Sequence, residues 1–97
     1  MGSSMILATI YLSPELHKEV HDLAKAADVD FSQVIRLAVK KWLESDRKMV
    51  SKEPVRQTRT TVYFDTSDLK LMRSVATIAG CVRSAVSLYV ESQNGQE

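Results

Sequence analysis

Histidine and cysteine, the side chains that most readily act as nucleophiles, proton carriers or soft metal ligands near neutral pH, are scarce in this 97-residue chain, which has two histidines and one cysteine. His17 and His21 are four residues apart, a spacing that places both on one face of a helix and that metal sites use. No cysteine and no convincing third ligand accompanies them, so we expect a solvated helix flank and no metal site. Cys81 lies in an apolar stretch with only Arg83 as a basic neighbour, which favours a small buried residue over a nucleophile.

Other catalytic arrangements are missing from the sequence. It contains no glycine-rich phosphate loop and no Ser-His-Asp arrangement, so we predict neither an enzyme nor a cofactor. A lone cysteine excludes an intrachain disulfide and fits a reducing cytoplasm. No apolar run reaches the roughly 18 residues of a membrane span, so we expect a soluble cytoplasmic protein with no membrane partner. Residues 1–4 look like an expression remnant before a native start at Met5.

The composition is that of an ordinary globular protein, with 44% hydrophobic and 26% charged residues. The formal net charge is only +1, which argues against a polybasic chain that coats nucleic acid indiscriminately. Any affinity for an anionic partner must therefore come from the local placement of cations.

A short strand pattern occurs twice, as TIYL from Thr9 and as TVYF from Thr61, 52 positions later. Apolar residues alternate with other residues in both copies, which predicts strands with two distinct faces. The faces predicted to point toward the core carry Ala8, Ile10, Leu12, Val62 and Phe64. The faces predicted to point outward carry Leu7, Thr9, Tyr11, Arg59, Thr61 and Tyr63.

Two helices are predicted after each strand. Ser13 and Pro14 are typical of a helix start, and Asp30 with Gln33 three residues later predicts a capping box for the next helix. In the second half Asp65 is the predicted cap of a third helix that ends at Gly80. The last helix is predicted to begin at about Arg83.

These patterns predict a tandem repeat that forms one domain. Residues 5–46 form the first motif, 47–58 a polar and mildly basic linker, and 59–93 the second motif. One strand with two short helices cannot bury its apolar face or pair its backbone groups. We therefore expect a mainly α-helical fold in which the two strands pair as an antiparallel ribbon and share one core with four helices.

The motif resembles the ribbon-helix-helix (MetJ/Arc-like) family of DNA-binding proteins. The resemblance lies in TIYLSPEL and DVDFSQVIRLAVKKWL in the first half, and less closely in TTVYFDTSDLKLM and AGCVRSAVSLYV in the second. Two motifs in one chain, similar to the conjugation protein TraY, imply an internal pseudo-dimer. Because its halves differ, such a pseudo-dimer is expected to prefer an asymmetric DNA site.

The resemblance also implies which residues contact double-stranded DNA. In the family the paired strands enter the major groove, and the first turn of each second helix contacts a phosphate. The implied base-contacting residues are Leu7, Thr9, Tyr11, Arg59, Thr61 and Tyr63. The implied phosphate-contacting residues are Phe31, Ser32, Arg83 and Ser84, with Lys48, Lys52 and Arg56 from the linker.

The function expected from this resemblance is sequence-specific DNA binding, as a transcriptional repressor or regulator. A relaxosome-type accessory factor is a second DNA-binding role that the same residues allow. The alternative is a protein-interaction module, such as an antitoxin that binds its toxin. Leu37, Leu71 and Ile78 favour this alternative or self-association on DNA, because they lie outside or widen the apolar stripes of their helices.

Overall fold

A computed structural model describes residues 4–49 and 57–94 of the chain. The described part consists of β1 (Met5–Leu12), α1 (Pro14–Ala27), α2 (Phe31–Glu44), β2 (Thr58–Asp65), α3 (Thr66–Val75) and α4 (Ile78–Asn94). The predicted fold class, mainly α-helical with one short antiparallel ribbon, is confirmed. Lys52 and Arg56 lie outside the described residues, as does most of the predicted linker.

The two strands pair antiparallel along their whole length, from Met5 opposite Asp65 to Leu12 opposite Thr58. Their alternation separates a buried face from an exposed one. Ile10, Leu12, Val62 and Phe64 are buried as predicted, and Ala8 is partly buried against the same core. Ile6 shares this face, but it lies near the end of the ribbon and stays exposed.

The caps of the first two helices are those that the sequence predicts. The Ser13 hydroxyl accepts the backbone N–H of Leu16 at 3.1 Å, and Pro14 is the first residue of α1. Asp30 precedes α2, and its backbone N–H donates to Oε1 of Gln33 at 3.0 Å. These contacts satisfy amides that the first turn of a helix leaves unpaired.

The second half differs from its prediction after the third helix. Asp65 caps α3 by accepting the N–H of Ser67 at 3.0 Å, but α3 ends at Val75, and Gly80 does not terminate it. The predicted start of the last helix at Arg83 is wrong, because α4 begins at Ile78. Thr77 provides the reason, since its hydroxyl accepts the N–H of Gly80 at 3.2 Å and Gly80 becomes part of the first turn.

The core is made by both halves of the chain together. The central contact is between α2 and α4, which bury Val39 and Val86 with no exposed surface. In addition α4 packs against β1, and α2 packs against β2, so each of these helices covers the strand of the other half. Neither half has a complete core of its own in this arrangement.

No single helix among the described residues is long and apolar enough to cross a membrane. The pair Thr66–Val75 and Ile78–Gln93 meets the length and composition test only when joined, and it is bent by 96°.

Candidate nucleic-acid interface

The outer face of the ribbon brings together all six side chains predicted to contact bases. All six residues are exposed, and Leu7 and Tyr63 keep 50% and 53% of their surface open to solvent. They lie in three cross-strand pairs: Leu7 with Tyr63, Thr9 with Thr61, and Tyr11 with Arg59. The six side chains therefore lie on one continuous surface, as their alternation in the sequence predicts.

The central pair has a particular relation to the sequence repeat. Thr9 pairs with Thr61, which is its equivalent in the second strand pattern. This pair is therefore the centre of an approximate two-fold symmetry between the strands. Leu7 and Arg59 occupy corresponding positions, because each lies two residues before the threonine of its own strand. The outer face thus has a centre and two ends.

The ribbon carries charges of opposite sign at its two ends, Arg59 at one end and Asp65, opposite Met5, at the other. Arg59 is the only charged residue among the six, and its guanidinium has no hydrogen bond or ion pair among the described residues. The nearest carboxylate along the ribbon is Asp65, whose side chain accepts the backbone N–H and the hydroxyl of Ser67. An exposed guanidinium among neutral side chains is available to donate to an external acceptor.

The first turn of α2 holds Phe31 and Ser32, both partly buried. The Phe31 ring packs against the core and against the His17 ring, with the ring centroids 4.7 Å apart. The aromatic side chain is therefore directed to a structural contact. Any phosphate contact by Phe31 would have to come from its backbone amide.

The shifted start of α4 changes the position of the corresponding site in the second half. Arg83 and Ser84 lie in the second turn of α4, beyond its first unpaired amides. Ser84 is fully buried, and its hydroxyl donates to the carbonyl of Gly80 at 2.9 Å. A side chain with no exposed surface does not reach a phosphate, so the phosphate contact expected of the Ser84 side chain does not fit this structure. The first turn of α4 instead begins with Thr77 and Ile78.

The sequence contains a pattern that indicates the earlier start of α4, at Ile78 instead of about Arg83. Cys81-Val82-Arg83 of α4 matches Val34-Ile35-Arg36 of α2 at a separation of 47, whereas the strands repeat at 52. The buried positions of α4 follow the match, since Val82 and Val86 are buried like Ile35 and Val39. The repeat spacing falls by five residues because α3 has 10 residues where α1 has 14, and because the connection from α3 to α4 is one residue shorter than that from α1 to α2.

Arg36 is a candidate that the sequence reasoning missed. Its Nη1 donates to the backbone carbonyl of Tyr63 at 3.4 Å, and this joins α2 to the ribbon. Arg83 holds the matching position of α4, and its Nε is buried without a hydrogen-bond partner among the described residues. Arg36 therefore adds a positive charge next to the ribbon, whereas Arg83 shares its position in the repeat but has no hydrogen bond to either strand within the described ranges.

Lys48 is the one predicted linker contact that the structure describes. Its side chain is exposed, and its carbonyl accepts the indole N–H of the buried Trp42 at 2.9 Å. Arg47 donates from Nε to the carbonyl of Leu43 at 2.9 Å. These two hydrogen bonds hold the segment after α2 against that helix. They therefore fix the position of the Lys48 backbone relative to α2.

The other chemically capable residues have structural surroundings. Burial raises the pKa of the Cys81 thiol, which donates a hydrogen bond to the carbonyl of Met72 at 3.3 Å. Burial of this kind suppresses the thiolate that a nucleophile requires. In the described ranges no cluster of three or more His, Cys, Asp or Glu residues is arranged to hold a metal.

The three apolar residues that favour a protein partner, Leu37, Leu71 and Ile78, differ in their exposure. Leu37 is 43% exposed and lines a groove of about 470 Å³ between α1, α2 and α4, with Val29 on the same rim. Leu71 is also exposed, whereas Ile78 is partly buried and packs against the core at the start of α4.

Comparison with known proteins gave no relative: no protein-family model, curated protein or solved structure matches this chain.

Proposed function

We propose that this chain is a sequence-specific double-stranded DNA-binding protein of the ribbon-helix-helix type, acting as a transcriptional regulator. The observation that carries the proposal is the outer face of the ribbon, with its six exposed side chains in three register pairs. A two-stranded ribbon fits the major groove, where each base pair presents a distinct pattern of donors, acceptors and methyl groups. In this proposal the two motifs form an internal pseudo-dimer around the Thr9–Thr61 pair.

Charge supports DNA as the occupant of this face. Arg59 is an exposed cation on it, and Arg36 contacts the ribbon through the Tyr63 carbonyl. Lys48 and the first turns of α2 and α4 then supply phosphate contacts at the sides, which position a protein without reading sequence. The small net charge of +1 means that nonspecific attraction contributes little, so affinity depends on the fit of this face.

The first test is selection of binding sites from random duplex DNA at about 150 mM salt, where nonspecific attraction is damped. We expect one enriched motif. Arg59→Ala should weaken binding to that motif by about 5- to 150-fold, since a bidentate contact to guanine contributes about 1–3 kcal/mol.

Arg73→Ala is the matched control, because Arg73 is exposed in the last turn of α3 and its loss changes the net charge equally. We expect the control to bind like the parent protein. If no motif is enriched, or if both arginine variants lose affinity equally, the ribbon does not read DNA as proposed.

The groove beside Leu37 favours one other candidate function, the binding of a protein partner such as a toxin. The observation that favours it is that exposed Leu37 and Val29 line the same groove, where an apolar side chain of a partner would cover both. Leu37→Glu separates the two functions: it should leave DNA affinity unchanged if the ribbon is the functional surface. If the groove is the functional surface, Leu37→Glu should no longer bind the partner protein in a pull-down assay. Arg59→Ala should still bind that partner.

A further inference from the structure

The two ends of the ribbon's outer face carry different chemistry. Toward one end lies the pair Leu7 and Tyr63, followed by Met5 opposite Asp65, and toward the other end lies the pair Tyr11 and Arg59. Leu7 and Arg59 occupy corresponding places, each two residues before the central threonine of its own strand. If the face were two-fold symmetric, the position of Leu7 would also hold an arginine. It holds an apolar side chain instead.

Leucine and arginine read different groups on a base pair. An arginine donates two hydrogen bonds to O6 and N7 of guanine, the commonest specific contact in the major groove. A leucine offers no donor or acceptor, and it gains only by covering the C5 methyl group of thymine. The tyrosines and threonines occur at matching positions of both strands and do not distinguish the ends.

We infer that the protein binds a DNA site with a defined polarity: a guanine at the end contacted by Arg59, and thymine methyl groups at the end contacted by Leu7. This inference rests on the proposed DNA-binding function. The two positions are four residues apart along the ribbon, about 13 Å at 3.3 Å per residue. This length corresponds to about four base-pair steps, enough for the ends to contact different base pairs.

Both positions are open to substitution. Leu7 is half exposed and Arg59 is exposed, and neither belongs to the buried core. Leu7→Arg and Arg59→Leu therefore exchange the chemistry of one end without removing a core contact. Unchanged unfolding midpoints would confirm that the fold of each variant is intact.

The experiment compares three site selections under identical conditions, with the parent protein, Leu7→Arg and Arg59→Leu. We expect a parent motif with a guanine required at one end only. Leu7→Arg should add a guanine on the opposite strand and convert the motif into an inverted repeat. Arg59→Leu should lose the guanine, and replacing that guanine should weaken the parent by about 5- to 150-fold.

A second measurement needs no variant. Thymines at the guanine-free end of the parent site are replaced one at a time by deoxyuridine, which lacks only the methyl group. Loss of a covered methyl group should weaken binding by about 4-fold, from about 0.8 kcal/mol per group. The same replacement outside the site is the control and should have no effect.

A parent motif that is already palindromic would overturn the inference while leaving DNA binding in place. The same holds for a Leu7→Arg motif without a second guanine, and for a site insensitive to every deoxyuridine replacement. Failure to enrich any motif with the parent protein is a different result, and it would overturn the proposed function together with the inference.

Discussion

At the scale of single residues, Cys81 gives a prediction that is independent of DNA. Its thiol is buried, and burial raises its pKa above the ordinary value of 9.0. Between the unfolded and the folded pKa the native state keeps the thiol proton and the unfolded state has lost it, so stability falls as the pH rises. We expect the free energy of unfolding to fall above about pH 9, with a limiting slope of about 1.4 kcal/mol per pH unit from this group.

Cys81→Ala isolates this contribution, because lysines and tyrosines also titrate at alkaline pH. The variant should be less stable at pH 7 by about 1 kcal/mol, since it loses buried contacts, and its stability should fall less steeply above pH 9. Denaturant titrations of both proteins at several pH values make the comparison. Parallel curves for the two proteins would show that the thiol does not remain protonated through burial.

At the scale of elements, the start of α4 depends on Thr77. Its hydroxyl accepts the N–H of Gly80, one of the amides that the first turn cannot pair by itself. Thr77→Ala should therefore lower the free energy of unfolding by about 1 kcal/mol. Thr77→Ser keeps the acceptor and should retain most of the stability, as measured by chemical denaturation. Equal losses in both variants would indicate that the methyl group, and not the cap, is what matters.

The same region shows how far sequence patterns determine the elements. Strand alternation has a period of two, so it assigned the inner and outer faces of both strands correctly. The caps at Ser13 and Asp65 were also predictable, because polar side chains precede apolar helical stripes.

The error at Gly80 has a physical cause. Glycine near the end of a helical pattern usually terminates the helix, but here it follows a threonine cap inside a new first turn. The two roles require the same residue type, and only packing decides between them. Because Met49 lies beside Gly80 and a Cβ there would be 3.4 Å from its Cε, that packing includes a residue 31 positions earlier, which local patterns do not report.

At the scale of the whole molecule, the two halves should unfold together. Each second helix covers the strand of the other half, and α2 and α4 form the centre of the core. The chain has one tryptophan, Trp42 in the first half, and one cysteine, Cys81 in the second half, and both are buried. Fluorescence of Trp42 and the reactivity of Cys81 to a brief pulse of thiol reagent should therefore give the same denaturation midpoint.

Substitutions at the α2–α4 contact sharpen this prediction. Val39→Ala and Val86→Ala each remove buried methyl groups and should cost about 2 kcal/mol. If the core is shared, either variant lowers the midpoints of both probes by the same amount, whichever half carries the change. A variant that exposes Cys81 while Trp42 keeps its native fluorescence would show that the halves are separate folding units. Such separate folding would conflict with the internal pseudo-dimer, because the ribbon needs one strand from each half before its outer face exists.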